Sequence, residues 1–487
     1  MKNLKALSLC LIFAAILSLV ACTDDDSFTR STNNRLTFSV DTLRMDTTFS
    51  RIPTATKTFW VYNRSGNGIR LSNVRLEKGN QTGFRVNVDG IYLGQSSGFQ
   101  VNDLEVRNKD SIRVFVELTS STTGKEDPTL IEDNLLFTLE SGVQQKVNLN
   151  AYSWDAEVID DWEIKNDTSI QSTRPIMVRK SITIARHASL HIGAGTKIYF
   201  ANSAGIDVYG QLFIDGTVEN NVVLRGNRLD NMFDYLPYDR VSGQWRGIHF
   251  YESSYGNQIL YTDLHSAYNG IVCDSANVEY LKVALKYSTV HNCQGYGIFA
   301  VNSRLQIYNS QISNTLNDCL AIVGGHTVIA HSTLAQFYPF DSKRGYAFSL
   351  TDTYNGKEYG LNIFKMQNTL ATAYAADAIL IALKNEKNKN YIFENTILRK
   401  SKPKEIDAQR YKNIIWEETT DTVSGGEKNF VKVDAEKQAY DFHLSEKSKA
   451  RDAGVTLSLG ISTTDRDGTT RSGNPDIGCY EYVAPKK

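Results

Sequence analysis

Between residues 259 and 397 one short pattern keeps returning, and it constrains the fold more than any other feature of the chain. An apolar residue is followed three positions on by Ser, Thr or Asn, and two positions later by another apolar residue. Ile259-Leu-Tyr-Thr262-Asp-Leu264 is the first case, followed by Leu285-Lys-Tyr-Ser288-Thr-Val290, Ile307-Tyr-Asn-Ser310-Gln-Ile312 and Ile329-Ala-His-Ser332-Thr-Leu334. Ile392-Phe-Glu-Asn395-Thr-Ile397 returns later. The first positions stand 26, 22 and 22 residues apart before the longer gap. A second frame interleaves: Gly247-Ile-His-Phe250, Gly270-Ile-Val-Cys273 and Gly297-Ile-Phe-Ala300, with glycines 23 and 27 apart. One such unit cannot bury its apolar side chains alone, whereas a stack of them shares a continuous core.

Two short strands recurring at this period predict a parallel β-helix over 160–482, each coil adding one rung to long parallel sheets. Thr262, Ser288, Ser310, Ser332 and Asn395 should stack as an internal polar ladder. Upstream, Leu190-His-Ile192, Ile198-Tyr-Phe200, Ile206-Asp-Val208 and Leu212-Phe-Ile214 fit the same short-strand pattern. A propeller needs about 40–50 residues per blade, and a leucine-rich solenoid its Leu/Asn signature; neither is present. The chain resembles the right-handed parallel β-helix repeat proteins, which include polysaccharide lyases. Right-handedness is implied by that resemblance and by the crossover rule.

Near the end, Asp465-Arg-Asp467-Gly468-Thr-Thr-Arg471 leads to Pro475-Asp476-Ile477-Gly478-Cys479-Tyr480-Glu481. This resembles the terminal coil of bacterial cell-surface β-helix proteins, with Cys479 in a place usually held by Ala. The resemblance implies a cap at about 436–482. Asp467, Arg471, Asp476 and Glu481 read as an ion-paired cap rather than as catalytic carboxylates, because charged capping groups at a solenoid end need partners.

Residues 36–155 follow another rule. Leu36-Thr-Phe38-Ser-Val40, Phe84-Arg-Val86-Asn-Val88 and Ile112-Arg-Val114-Phe-Val116 alternate with period two, so one face is buried and one is wet. About seven short strands separated by turn residues predict an Ig-like antiparallel β-sandwich in the role of a stalk. The segment has no cysteine. Cys273, Cys293, Cys319 and Cys479 fall in the solenoid, where four thiols allow three complete pairings. There is no CxxC and no zinc spacing, so buried free thiols are the expected state.

The first 21 residues read as a leader. Lys2 and Lys5 precede an apolar stretch from Leu7 to Val20, too short to span a bilayer. It ends in Leu19-Val-Ala-Cys22. This resembles the lipobox of bacterial lipoproteins, which implies cleavage before Cys22 and lipidation of that residue. Residues 22–35 then form a tether. Its Asp24-Asp-Asp26 resembles the acidic export tag of Gram-negative outer-membrane lipoproteins and implies a cell-surface location, with the membrane as a partner. The net charge of −1 argues against a nucleic-acid partner, which would call for a basic excess.

Two reaction classes suit such a fold. A lyase acting on uronic acids needs a base and a means of neutralising the carboxylate, often Ca²⁺. A hydrolase needs two carboxylates about 5–9.5 Å apart. Residues one coil apart on a sheet stand about 4.8 Å apart, so a catalytic carboxylate pair should appear in register. The fifth-position column reads Asp263, Thr289, Gln311, Thr333, Thr396, with one acid among neutral residues. The third-position column reads Tyr261, Tyr287, Asn309, His331, Glu394, whose aromatic start suits sugar stacking. Asp263 and His265, two apart on one strand, are the candidate acid–base pair. Asp274, Asp318 and His291 read as turn residues out of line.

The insertion 229–244 carries Phe233, Tyr235, Tyr238, Asp239 and Arg240, followed by Trp245. Aromatics, an acid and an Arg on a loop suit sugar binding. Ala371–Lys384 is open between a short helix and an irregular coil. The Lys and Arg residues of 384–404 read as a solvated edge. No motif supports a bound cofactor or metal, Ca²⁺ included. The expectation is a non-catalytic polysaccharide-binding β-helix; the alternatives are a polysaccharide lyase or glycoside hydrolase, and a structural spacer that pairs with an envelope protein.

Overall fold

The computed structural model describes residues 27–421, 423–457 and 463–484. The leader and Cys22 lie outside the described residues. The chain divides into two compact units after Asp155. Among the described residues no helix is long and apolar enough to cross a membrane.

In the first unit two five-stranded sheets enclose one core. Phe84–Val88 is buried at every second position, as its alternation demands. Val61, Val86 and Val114 from one sheet meet Leu71, Val74 and Phe137 from the other. Pairing departs from the antiparallel expectation at one place. Thr42–Phe49, an edge strand, runs parallel to Gln144–Trp154, while the other strand pairs of the sheet are antiparallel.

The second unit is built from two long stacks of parallel strands, consistent with a β-helix. Among the described residues one sheet has 18 strands, from Glu157–Ile164 to Ile415–Trp416, and the other has 10, from Thr168–Ile170 to Tyr411–Lys412. Apolar residues stack in register inside. Leu264, Val290, Ile312, Leu334, Ala371 and Leu398 form one buried column. Ile259, Leu285, Ile307, Ile329, Met366 and Phe393 form another. The Gly247, Gly270 and Gly297 corners are glycine because the next coil crosses there. A Cβ would meet the carbonyl oxygens of Asn269, Gly297 and Cys319 at 1.7, 2.5 and 2.4 Å.

Register corrects the last hexapeptide by one residue. Leu370 aligns with both Thr333 and Ile397, so the polar column runs Thr262, Ser288, Ser310, Ser332, Thr369, Thr396, all fully buried. Asn395 belongs to the column before it. The ladder is also wired differently from a side-chain stack. The backbone N–H groups of Thr262, Ser288 and Ser310 donate to the hydroxyls of Ser288, Ser310 and Ser332 one coil on, at 3.0, 3.2 and 3.3 Å. Each of these three hydroxyls donates to the carbonyl two residues back in its own coil. Buried corner backbone thereby keeps its partners.

The column before the ladder is a row of left-handed corners. Tyr261, Tyr287, Asn309, His331, Asn368, Asn395 and Asn413 all have φ between 41° and 53°. Asn tolerates that conformation, whereas Tyr and His there are unusual. The Tyr261 and Tyr287 rings stack on each other with centroids 4.8 Å apart.

Ala371–Lys384 is not a helix. Leu370–Ala373 and Ile379–Ala382 are further rungs of the large sheet. The segment after Phe430 does not continue the rungs beyond Ile415–Trp416. It packs along the side of the solenoid. Arg466 reaches Asn221, Arg471 reaches Asn309, the Cys479 N–H donates to Thr333 and the Gly478 N–H donates to the Asn368 carbonyl. Ala335, Leu370 and Ile397 point out of the solenoid on that flank and are buried only because they are covered. Phe430, Phe442, Ile477 and Tyr480 supply the cover.

Candidate functional site

Where this returning segment stands off the sheet it leaves a groove of about 510 Å³. One wall is the sheet itself. Asp263 and His265 lie on Thr262–His265, and Thr289 and His291 align with them one rung on. Positions two apart on a strand face the same way, so all four side chains point outward, away from the apolar core. The opposite wall is the hairpin Phe430–Asp434/Ala439–Leu444, which brings Lys432, Asp441 and His443. Arg466 and Tyr480 close one side, and the short 3-10 turn Tyr238–Arg240 brings Asp239 and Arg240 to the rim.

Asp263 is the hub of the sheet wall. The Thr289 hydroxyl donates to its Oδ1 at 3.0 Å, and His291 Nε2 lies 2.9 Å from the same oxygen. Burial pushes the Asp263 carboxyl up, but the two imidazoles outweigh it and hold the group well below the usual carboxylate range. His265 is not its hydrogen-bond partner. Its Nε2 stands 4.0 Å from Asp263 Oδ2 and 3.7 Å from Asp239 Oδ1. Burial pushes His265 below the ordinary imidazole value. Burial acts the same way on His291, yet contact with Asp263 prevails and raises it. Adjacent imidazoles on one wall are thus driven apart, one toward the neutral form and one toward the cation.

On the hairpin wall, His443 is clamped by two carboxylates. Its Nδ1 lies 2.6 Å from Asp441 and its Nε2 2.8 Å from Asp467, with its ring 4.2 Å from that of Tyr480. The two hydrogen bonds raise its pKa to about 9, so it is an imidazolium at neutral pH. The Tyr480 hydroxyl donates to Gln311 at 2.9 Å and ties this wall to the sheet.

The expected ligand residues separate. Asp239 and Arg240 line the groove; Asp239 pairs with Arg225, and Arg240 donates to the Lys437 carbonyl at 2.9 Å. Phe233 and Tyr235 are exposed and stack on each other with centroids 5.7 Å apart, outside the groove lining. Tyr238 lies under the Arg228 guanidinium at 3.8 Å. Trp245 is a correction: it is 1% exposed and stacks on Phe200 at 4.2 Å, so it is core rather than a sugar platform.

His291 is a second correction. It is a strand residue in register with His265, not a turn residue out of line. The signal was available, because His291 follows Thr289 by two as His265 follows Asp263. His443 had no such signal, since nothing local says that the chain's end returns to this face. Of the four terminal charges, Arg471 and Glu481 pair, and the Asp476 carboxylate accepts from the Asp452 and Tyr482 N–H groups. Asp467 instead serves His443. Cys273, Cys293, Cys319 and Cys479 are buried and unpaired. Arg399 leaves the basic stretch to pair with Glu417 at 2.8 Å, nearly buried.

No protein-family model and no curated protein matches this sequence. Among solved structures, the catalytic unit of a GH87 α-1,3-glucanase from Streptomyces thermodiastaticus strain HF3-3 is 8% identical, over 73% of this chain and 72% of that one, with a TM-score of 0.26. A family 123 glycoside hydrolase from Clostridium perfringens is 9% identical, over 25% of this chain, with a TM-score of 0.17; the chain spans about a quarter (26%) of that structure's length. A PapD-like domain of human CEP192 is 10% identical, over 28% of this chain and 93% of that one, also at 0.17. Likenesses this slight carry no argument about the site.

Proposed function

We propose that this is a surface lipoprotein of a Gram-negative outer membrane, anchored through Cys22. In this reading an Ig-like stalk carries a right-handed parallel β-helix whose lateral groove receives a polysaccharide. The observation that carries the reading is the convergence of Asp263, His265 and His291 on the sheet wall with Asp441 and His443 on the hairpin wall. Four of these titratable side chains, from segments about 150 residues apart in sequence, line a groove open to solvent, with His265 buried beside them. Carboxylates and imidazoles at that density suit sugar hydroxyls and proton transfer. The non-catalytic expectation rested on the lack of an in-register acid pair, and the groove draws its groups from elsewhere.

Cleavage is therefore the leading reading, and non-catalytic retention of the glycan the second. Hydrolysis has a specific support. Asp239 and Asp263 both line the groove, with carboxylate oxygens 3.7 and 4.0 Å from His265 Nε2, and a hydrolase needs two carboxylates in one site. The test is a product screen of the soluble chain against plant, algal and host polysaccharides, with and without Ca²⁺. Reducing sugar reports hydrolysis and ultraviolet absorbance reports unsaturated lyase products. Release of either is expected, with loss in Asp263→Asn. No product together with no retardation on any polysaccharide gel would overturn the reading.

A further inference from the structure

We infer that Asp263, His265 and His291 form a binding site for a divalent transition cation of the zinc class. Each presents one ligand atom, and the three atoms lie within 4.8 Å of one another. They stand on two adjacent strands of a packed sheet, two from one strand and the third from its in-register neighbour, so their spacing is set by rungs rather than by a loop.

Proton bookkeeping supplies an independent argument. The Ser266 hydroxyl donates its one proton to the Asp239 carbonyl at 2.9 Å. His265 Nδ1 lies 3.0 Å from that same hydroxyl oxygen, which can therefore only accept. Nδ1 of His265 is then the donor to Ser266, and in the neutral ring this leaves Nε2 with a lone pair. Nε2 stands 3.7 Å from Asp239 Oδ1 and 4.0 Å from Asp263 Oδ2, both beyond hydrogen-bond reach, and the side chain is only 4% exposed. A metal ion that displaces any proton from Nε2 would meet a ring nitrogen and carboxylate oxygen together there.

The donor set selects the ion. Two imidazoles and a carboxylate suit zinc and its neighbours, at metal–nitrogen distances of about 2.0–2.1 Å, whereas Ca²⁺ and Mg²⁺ take oxygen ligands. Outer contacts of the usual kind are in place: Nδ1 of His265 on Ser266, and the Thr289 hydroxyl on Asp263 Oδ1. His291 Nε2 now shares a proton with Asp263 at 2.9 Å. Ligation moves that proton to solvent, so uptake of the ion releases protons. The inference stands apart from the polysaccharide reading, because ion binding is measured with no glycan present.

The test strips the full chain with EDTA and titrates it with Zn²⁺ by calorimetry, and with Co²⁺ followed by its visible ligand-field absorption. One ion per chain is expected, with no competition from Ca²⁺. His265→Gln and His291→Ala should each weaken binding by more than the roughly tenfold that loss of an outer partner costs. His249→Ala, on a different part of the sheet, should leave it unchanged. Circular dichroism establishes that each variant is folded. A folded chain that takes up no Zn²⁺, or a folded His265→Gln/His291→Ala double variant that binds it as tightly as the parent, would overturn the inference.

Discussion

His265 and His291 stack with ring centroids 4.8 Å apart and planes 24° from parallel. That spacing is the rung repeat of a sheet, so the solenoid itself, and not a specialised loop, places the two imidazoles together. Asp263 bonds to His291 across the rung and stands 4.0 Å from His265, its neighbour on the same strand. One carboxylate thus addresses two rings of opposite protonation tendency.

The hydroxyl ladder should be a measurable part of stability. Ser310→Ala leaves the buried Ser288 N–H without its acceptor, and an unsatisfied buried donor costs about 1–3 kcal/mol. Ser310→Thr keeps the hydroxyl and should cost less, since Thr already serves at 262, 369 and 396. Chemical denaturation of both variants checks the difference.

The left-handed corners should discriminate by side-chain shape. Asn395, at φ 49°, should tolerate Gly with little loss. Asn395→Val places a β-branched residue in that region and should cost roughly 1–2 kcal/mol. Equal midpoints for the two variants would contradict the assignment.

His443 should make the groove sensitive to alkali. Its two carboxylate partners raise its pKa from 6.5 to about 9. A raised imidazole stabilises the fold fully below the unfolded value, near 6.5, and that contribution fades as pH climbs through about 9. Stability should therefore fall between pH 7 and 10, and Asp441→Asn or Asp467→Asn should flatten the decline. The ring's own titration is readable by NMR; a midpoint near the ordinary imidazole value would contradict the clamp.

Trp245 and Phe233, alike as aromatics beside the same insertion, should behave oppositely. Trp245→Ala empties a buried stack and should cost about 3–5 kcal/mol. Phe233 is 55% exposed, and Phe233→Ala should leave the melting temperature nearly unchanged. Thermal melts of the pair decide it.

The parallel stack was legible because apolar residues recur at the rung period. Leu264, Val290, Ile312 and Leu334 were aligned correctly from spacing alone. Alignment slipped beyond the longer gap, where Ile392 and Phe393 are both apolar and either could face inward; only pairing with Met366 selects Phe393. The Asp263/His265 pair was found because two-residue spacing is a local signal. His443, Arg466 and Tyr480 were not, because their place in the groove depends on a tail crossing rungs 150 or more residues away.

That crossing has a consequence in time as well as in space. A solenoid can zip up rung by rung as it is synthesised, but the second wall of this groove is encoded after Phe430 and reaches back to Asn221, Asn309 and Gln311. A chain cut short before Phe430 would lack the hairpin wall that brings Asp441 and His443, and its rungs alone would form no groove. The segment after Phe430 thus acts as a completion signal, because the groove comes into being only when that segment has been made and has found the middle of the solenoid.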